Sequence, residues 1–191
     1  MKNKTLNVIL IAAILSIWSC NSSQKPADTK AVAEEHNDAK FDNTDNQKQD
    51  AQFLVDAAEI NWKETLLGQL AQQNSQMTDV KEMGIMMEKS HSESMKNLIA
   101  LAKKKLITIP TSPTDKVKNV YKDLSKKTGK NFDKEYCDMM VSGHKDAIAT
   151  FEKASKDAND IDVRTWAAET LPILRKHLDY AITCKKKCEK I

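Results

Sequence analysis

The strongest constraint in this sequence is a symmetry about the polar segment 157–160. His144 and His177 lie equally far from the point between residues 160 and 161, where this segment ends, and Cys137 and Cys184 do so seven residues further out. In an antiparallel helix pair, residues equally far from the turn lie at one level, and a step of seven residues is two turns on nearly the same face. The sequence therefore predicts a helical hairpin in which the histidines face each other, with the cysteines facing each other two turns away.

A second hairpin is predicted upstream. Apolar and small residues recur at alternating steps of four and three over residues 50–73 and again over residues 80–105, with the polar segment 74–78 between them. One ionisable side chain interrupts each stripe, Glu64 in the first and His91 in the second. Because these two are also equally far from their turn, we expect them at one level.

The two hairpins are separated by a stretch that contains Pro110 and Pro113 and therefore leaves the helical pattern. Residues 115–127 of this stretch show the pattern of a short helix. A connection of this length can run along the bundle and make the second and third long helices parallel. We predict an all-α four-helix bundle over residues 50–191, built from two antiparallel hairpins and a long crossover with a short helix.

If the crossover brings the hairpins into register, the ionisable residues of the four stripes converge in one core layer: Glu64, His91, His144 and His177. Imidazoles with a carboxylate suit zinc or iron. Met87 and Met140 each precede a histidine by four residues and are predicted side by side in the next layer, where thioethers would favour copper. The alternative is a hydrogen-bonded polar layer that fixes the helix register without metal, with the methionines filling core gaps.

Enzymatic motifs are weak in this chain. Glu88 and His91 have the Glu-x-x-His spacing of di-iron bundles, but Leu174 occupies the place of the glutamate on the fourth helix. We therefore expect a non-enzymatic protein that binds a transition metal, or a structural or partner-binding bundle. An oxidase-like metalloenzyme is the weakest of the three hypotheses.

The cysteines predict a cross-link. Cys137 and Cys184 are expected at one level of the hairpin, and an exported protein meets an oxidising environment, so a disulfide between them is predicted. Cys184 and Cys188 are four residues apart in one helix, where a bridge would be strained. Cys188 would then stay single, or it would form a soft-metal pair with Cys184.

Residues 1–19 have the pattern of a signal peptide, with two lysines before an apolar run that is too short to span a bilayer. The run ends in Ile-Trp-Ser-Cys, which resembles a bacterial lipobox, so Cys20 is predicted to carry a lipid anchor. An ordinary secretory signal is the alternative, and both imply export. The residue after Cys20 is not aspartate, a feature similar to outer-membrane lipoproteins, so we expect an anchored protein of the cell envelope that faces the periplasm.

Composition limits what the rest of the chain can do. Residues 20–49 are too polar to bury a core and are predicted to form a disordered tether. The formal charge is +3, and two of these charges belong to lysines of the predicted signal peptide. Such a balanced surface favours no nucleic-acid partner.

Several separated motifs resemble the bacterial family called domain of unknown function 4142. They are Glu64, Leu67-Gly68, Met87 and His91 in the first hairpin, and Phe132-Asp133, Tyr136, Met140-Val141, His144, Thr170-Leu171-Pro172, Leu174 and His177 in the second. The resemblance covers roughly residues 51–181 and implies an exported protein with a ferritin-like fold, but it brings no established activity. The family usually has an aspartate before the first of these histidines, and Ser90 replaces it here, so that carboxylate is not available to orient His91.

Overall fold

The computed structural model describes residues 27–190, and the predicted signal peptide and Cys20 lie outside this range. Within it the chain forms six helices and no strand: α1 Thr29–Lys40, α2 Asp45–Asn74, α3 Thr78–Lys105, α4 Asp115–Ser125, α5 Gly129–Asp157 and α6 Ile161–Cys188. The prediction of an all-α bundle is confirmed. None of the helices between residues 29 and 188 is long and apolar enough to cross a membrane.

Two antiparallel hairpins, α2 with α3 and α5 with α6, form the bundle, and α2 also packs on α5 and α3 on α6. Asp50 near the start of α2 accepts a 2.8 Å hydrogen bond from the backbone of Asn159, just after α5. Lys105 at the end of α3 pairs with Asp160, the residue before α6, at 2.5 Å. Both contacts join opposite ends of neighbouring helices, so α3 and α5 run parallel across the diagonal, as predicted.

The predicted disordered tether over residues 20–49 is wrong from residue 29 onward, where α1 and the start of α2 are helical. Asn37 is buried against the α3–α4 connection, where its side chain both donates to and accepts from the backbone of Thr108 at 2.8 Å. Lys30 pairs with Glu59 of α2 at 3.0 Å. Polar composition misled the prediction because this helix is held to the bundle largely by hydrogen bonds and ion pairs rather than by an apolar face.

Helix α2 is buried on more than one side, because it contacts α1 and α4 in addition to α3 and α5. As a result, Ile60 of the predicted stripe is only partly buried, whereas the next residue, Asn61, is 3% exposed. Glu59 is buried on the outer side and accepts a 2.8 Å hydrogen bond from Thr114. Burial raises the pKa of the Glu59 carboxyl, but hydrogen bonds from Thr114 and Lys30 outweigh it and leave the pKa below its ordinary value.

Two glycines set the register between α2 and α3. A Cβ atom at Gly68 would lie 2.6 Å from the backbone oxygen of Gly84, and a Cβ at Gly84 would lie equally close to the oxygen of Gly68. Neither position has room for a side chain, so the helices touch backbone to backbone here. Asn61 lies seven residues before Gly68, and His91 lies seven residues after Gly84. The crossing therefore brings Asn61 and His91 to one level, two turns away.

The apolar core is divided into two clusters by a polar layer. One cluster surrounds Phe53 and Phe151, whose ring centroids are 5.0 Å apart, and the other contains Met87, Met140 and Tyr136. Each long helix passes from one cluster to the other through a buried polar residue. The candidate site lies in this layer.

Candidate metal centre

One imidazole from each of α3, α5 and α6 meets at the centre of the bundle. His91, His144 and His177 are at most 3% exposed. Their ring centroids are 5.7 Å apart for His91 and His144, 5.3 Å for His91 and His177, and 5.4 Å for His144 and His177. One nitrogen from each ring belongs to a group whose atoms all lie within 4.8 Å of one another. We call these three residues the histidine triad.

Hydrogen bonds fix the tautomer of two triad rings. His91 Nδ1 lies 2.9 Å from Asn61 Oδ1, and because a carbonyl oxygen only accepts, the ring donates from Nδ1. His144 Nδ1 donates to the backbone oxygen of Met140, one turn earlier in α5, also at 2.9 Å. In the neutral form of either ring Nε2 then carries the free lone pair, and the bond at Nδ1 holds the orientation of the ring.

One nitrogen of each triad ring lacks a hydrogen-bond partner among residues 27–190. His91 Nε2, His144 Nε2 and His177 Nδ1 are all buried and unpaired in the structure. Buried polar atoms in folded proteins nearly always have a partner, so three unpaired nitrogens in one group need an explanation. No hydrogen bond joins the three rings to one another among the described residues, and the polar layer considered from the sequence stays an alternative.

The surroundings keep two imidazoles of the triad, His91 and His177, neutral. Burial lowers the pKa of His91 well below its ordinary value, and the neighbouring His144, His177 and Lys63 lower it further. Burial likewise lowers the pKa of His177 to about 4, with smaller contributions from His144 and Lys176. At neutral pH both imidazoles are unprotonated, which is the form that binds metal ions.

Glu64, the predicted carboxylate ligand, is buried but does not belong to the triad. Its Oε1 pairs with Lys63 Nζ at 3.1 Å, and its Oε2 is buried without a partner. The donor atoms that lie mutually within 4.8 Å come from the three histidines without Glu64. The glycine crossing explains the difference, because it places Asn61, one turn before Glu64, opposite His91.

Met87 and Met140 are fully buried in the apolar cluster next to the triad. Met140 contributes its backbone oxygen to the hydrogen bond with His144. Ligation by either sulfur stays a prediction, and the packing of both side chains in the apolar cluster explains their burial.

A cleft of about 750 Å³ leads from the surface to the triad. It is bounded by residues of α2, α3, α5 and α6, among them Asn61 and Trp166, and it reaches His91 and His177. Pro172 also borders it, and because proline has no N–H, the carbonyl four residues earlier loses its helical partner. The cleft gives two of the three imidazoles a route to solvent.

The cysteines of the second hairpin form another buried group. The Sγ atoms of Cys137, Cys184 and Cys188 all lie within 4.8 Å of one another, and all three residues are free thiols. The predicted disulfide between Cys137 and Cys184 is therefore not formed in this structure, although the predicted proximity of the two residues is confirmed. Cys188 joins them because residues four apart share one face of a helix, and its Sγ lies 3.2 Å from that of Cys137.

Comparison with known proteins gives one match. A family model described as a domain of unknown function (DUF4142) matches residues 32–183, which confirms the resemblance seen in the sequence. The matched range contains Asn61 and the whole triad but ends before Cys184. No curated protein and no solved structure is significantly similar to the chain.

Proposed function

The chain belongs to the DUF4142 family, whose description assigns no activity, and we propose from its own site that it binds one transition-metal ion through His91, His144 and His177. The observation that carries the proposal is the meeting of three buried imidazoles, each with a nitrogen that has no hydrogen-bond partner. Three neutral imidazoles are an established zinc ligand set with a fourth position left open. Because no carboxylate joins the triad, zinc and copper fit it better than iron.

The residues around the triad have distinct roles in this proposal. Asn61 and the backbone oxygen of Met140 hold two rings with Nε2 unprotonated, so no proton has to be removed there before an ion binds. Burial keeps His177 neutral as well. The cleft beside His91 and His177 would admit the ion and leave one side of it open. These features support a site that takes up and releases an ion.

The test is the number of ions that the purified chain binds. We expect a His91→Ala, His144→Ala double variant, stripped with a chelator and dialysed against zinc, to bind one ion fewer per chain than the unaltered protein. His36→Ala is the matched control, because His36 is exposed on α1, and it should bind as many ions as the unaltered protein. Equal zinc content in the double variant and the unaltered protein would overturn the proposal. A His91→Gln, His144→Gln pair, which keeps the side-chain volume closer to that of histidine, repeats the test if the alanine variant does not fold.

The role of Asn61 is tested separately. Replacing it with leucine removes the acceptor for His91 Nδ1–H at similar volume, and loss of such an outer partner typically weakens metal binding 10–100-fold. We expect Asn61→Leu to show a loss of that size in competition with a chromophoric zinc chelator. Asn61→Asp restores an acceptor and should bind within a fewfold of the unaltered protein. Equal affinities for the leucine variant and the unaltered protein would show that Asn61 does not position His91.

We also propose that the chain is exported and anchored through a lipid on Cys20, facing the periplasm from the outer membrane. The support lies in the sequence alone, in the apolar run that ends at Ser19-Cys20. Expressed in a bacterium fed an alkyne fatty acid, the chain should incorporate the label, and a Cys20→Ala variant should not. Absence of label from both proteins would contradict the anchor.

A further inference from the structure

A sulfur-rich group lies two helical turns from the triad, on α5 and α6, which are two of the three helices that carry the triad. Cys137 of α5 and Cys184 and Cys188 of α6 are each at most 1% exposed. Their three Sγ atoms lie within 4.8 Å of one another, and those of Cys137 and Cys188 are 3.2 Å apart. The sulfur of Met77, in the turn between α2 and α3, lies 3.7 Å from Cys188 Sγ. Helix α5, helix α6 and the turn between α2 and α3 thus bring sulfur atoms to one place.

We propose that Cys137, Cys184 and Cys188 bind one Cu(I) ion, with the Met77 thioether as a neighbouring donor. Soft thiolate and thioether ligands suit Cu(I), zinc and iron–sulfur clusters. Structural zinc and iron–sulfur sites use four ligands from cysteine or histidine, whereas this group has three thiols and a thioether, which fits Cu(I) better. The group lies within the apolar cluster, where Phe132 and Tyr136 are fully buried, and such surroundings exclude water and disfavour strongly hydrated ions. No residue of the histidine triad takes part, so this site stands or fails independently of the proposed function.

The convergence of a third sulfur favours a metal over a disulfide. A disulfide of Cys137 with either Cys184 or Cys188 uses two thiols and leaves the third thiol buried beside it without a role. Cys184 and Cys188 are in one helix, so they cannot bridge without strain. A three-ligand site uses all three positions.

Binding is a proton exchange without a change of oxidation state. Each cysteine thiol that ligates the ion gives up one proton to the buffer and forms one bond to Cu(I), whereas the Met77 thioether has no proton to lose. Burial raises the pKa of Cys188 to about 11, whereas a hydrogen bond from Cys137 lowers the pKa of Cys184. Since protons compete with the ion, the apparent affinity rises with pH.

The experiment is an anaerobic titration of the reduced chain, carrying Cys20→Ser in every arm, with Cu(I) against a chromophoric Cu(I) chelator. We expect one Cu(I) per chain at the cysteines, marked by an ultraviolet thiolate-to-copper charge-transfer band. Cys137→Ser and Cys188→Ser should each lose the band, and in chains that also carry His91→Ala and His144→Ala they should lose the competition for copper. The His91→Ala, His144→Ala variant should keep both, so a failure here is distinguishable from a failure of the triad.

Three results would overturn the copper site. One is an unaltered chain that does not compete for Cu(I), and another is a Cys137→Ser, Cys184→Ser, Cys188→Ser chain that keeps the band. The third is preferential binding of zinc by the same thiols. If a serine variant loses its helical circular dichroism, X-ray absorption at the copper edge of the unaltered chain decides the question. Sulfur neighbours support the site, and nitrogen neighbours alone contradict it.

Discussion

Zinc at a free concentration a thousand times its dissociation constant is expected to raise the free energy of unfolding of this protein by about 4 kcal/mol. The gain arises because the triad exists only in the folded chain. His91, His144 and His177 come from three different helices, and in an unfolded chain they are not held together. A ligand that binds the folded state alone shifts the equilibrium by mass action, so stability reports on the site without any assay of activity.

Urea unfolding with and without zinc measures this gain. The His91→Ala, His144→Ala variant should lose it, apart from any part that the cysteine group supplies, and His36→Ala should keep it in full. The comparison between these variants isolates the triad, because both retain the three buried cysteines. An equal zinc-induced gain in the double variant and in the unaltered protein would assign the stabilisation elsewhere and contradict the histidine site.

Acidification is expected to destabilise the metal-free protein between about pH 6.5 and pH 4. The pKa of His177 is about 4 in the folded protein, below the ordinary value of 6.5, because the ring is buried. Within this window the unfolded chain binds a proton at His177 and the folded chain does not, so the free energy of unfolding falls as the pH falls. The stability is unaffected by this ring above pH 6.5, and the loss reaches roughly 3 kcal/mol at pH 4. His91 acts in the same direction.

The check is a series of urea unfolding curves over this pH range in the presence of a chelator. His177→Gln should show a shallower loss of stability than the unaltered protein, whereas His36→Ala should show the same loss. Carboxyl groups such as Glu59 also lose stabilising hydrogen bonds and ion pairs as the pH falls, but they do so in all three proteins and cancel in the comparison. Identical slopes for His177→Gln and the unaltered protein would show that the buried imidazole is not the titrating group.

The register of the second hairpin could be predicted from the sequence because its turn is short. Residues 157–160 leave little freedom in how α5 and α6 align, and the facing of His144 and His177 follows from counting outward. The meeting of Cys137 and Cys184 follows in the same way. Counting outward from the turn gives one partner for each residue, so it pairs Cys137 with Cys184 and leaves Cys188 single. A helix also presents the residue one turn further along to the same partner, and Cys188 therefore lies beside Cys137 as well.

The register of the first hairpin was predicted one turn away from where it lies. Counting from the turn pairs His91 with Glu64, but the close approach of Gly68 and Gly84 aligns α2 and α3 so that Asn61 meets His91. The signal was present in the sequence, since both residues are seven positions from a glycine. The apolar pattern does not reveal this pairing, because Asn61 lies beside the apolar stripe of α2 rather than in it. The burial of Asn61 depends on the helices that pack around α2.

The predicted tether illustrates what composition alone leaves out. The segment that became α1 has few large apolar residues, so burial of an apolar face gave no reason to expect an ordered helix. Its order depends on partners far along the chain, Thr108 for Asn37 and Glu59 for Lys30. Such partners become visible only when the fold has placed the α3–α4 connection beside it.

The most direct test of the histidine site is the position of the ion itself. Crystals of the zinc-loaded protein, measured at the zinc absorption edge, should show one anomalous peak between His91, His144 and His177. Its distance to one nitrogen of each ring should be about 2.0–2.1 Å. A zinc-loaded crystal without a peak at this position, with the three rings left as they are here, would contradict the account.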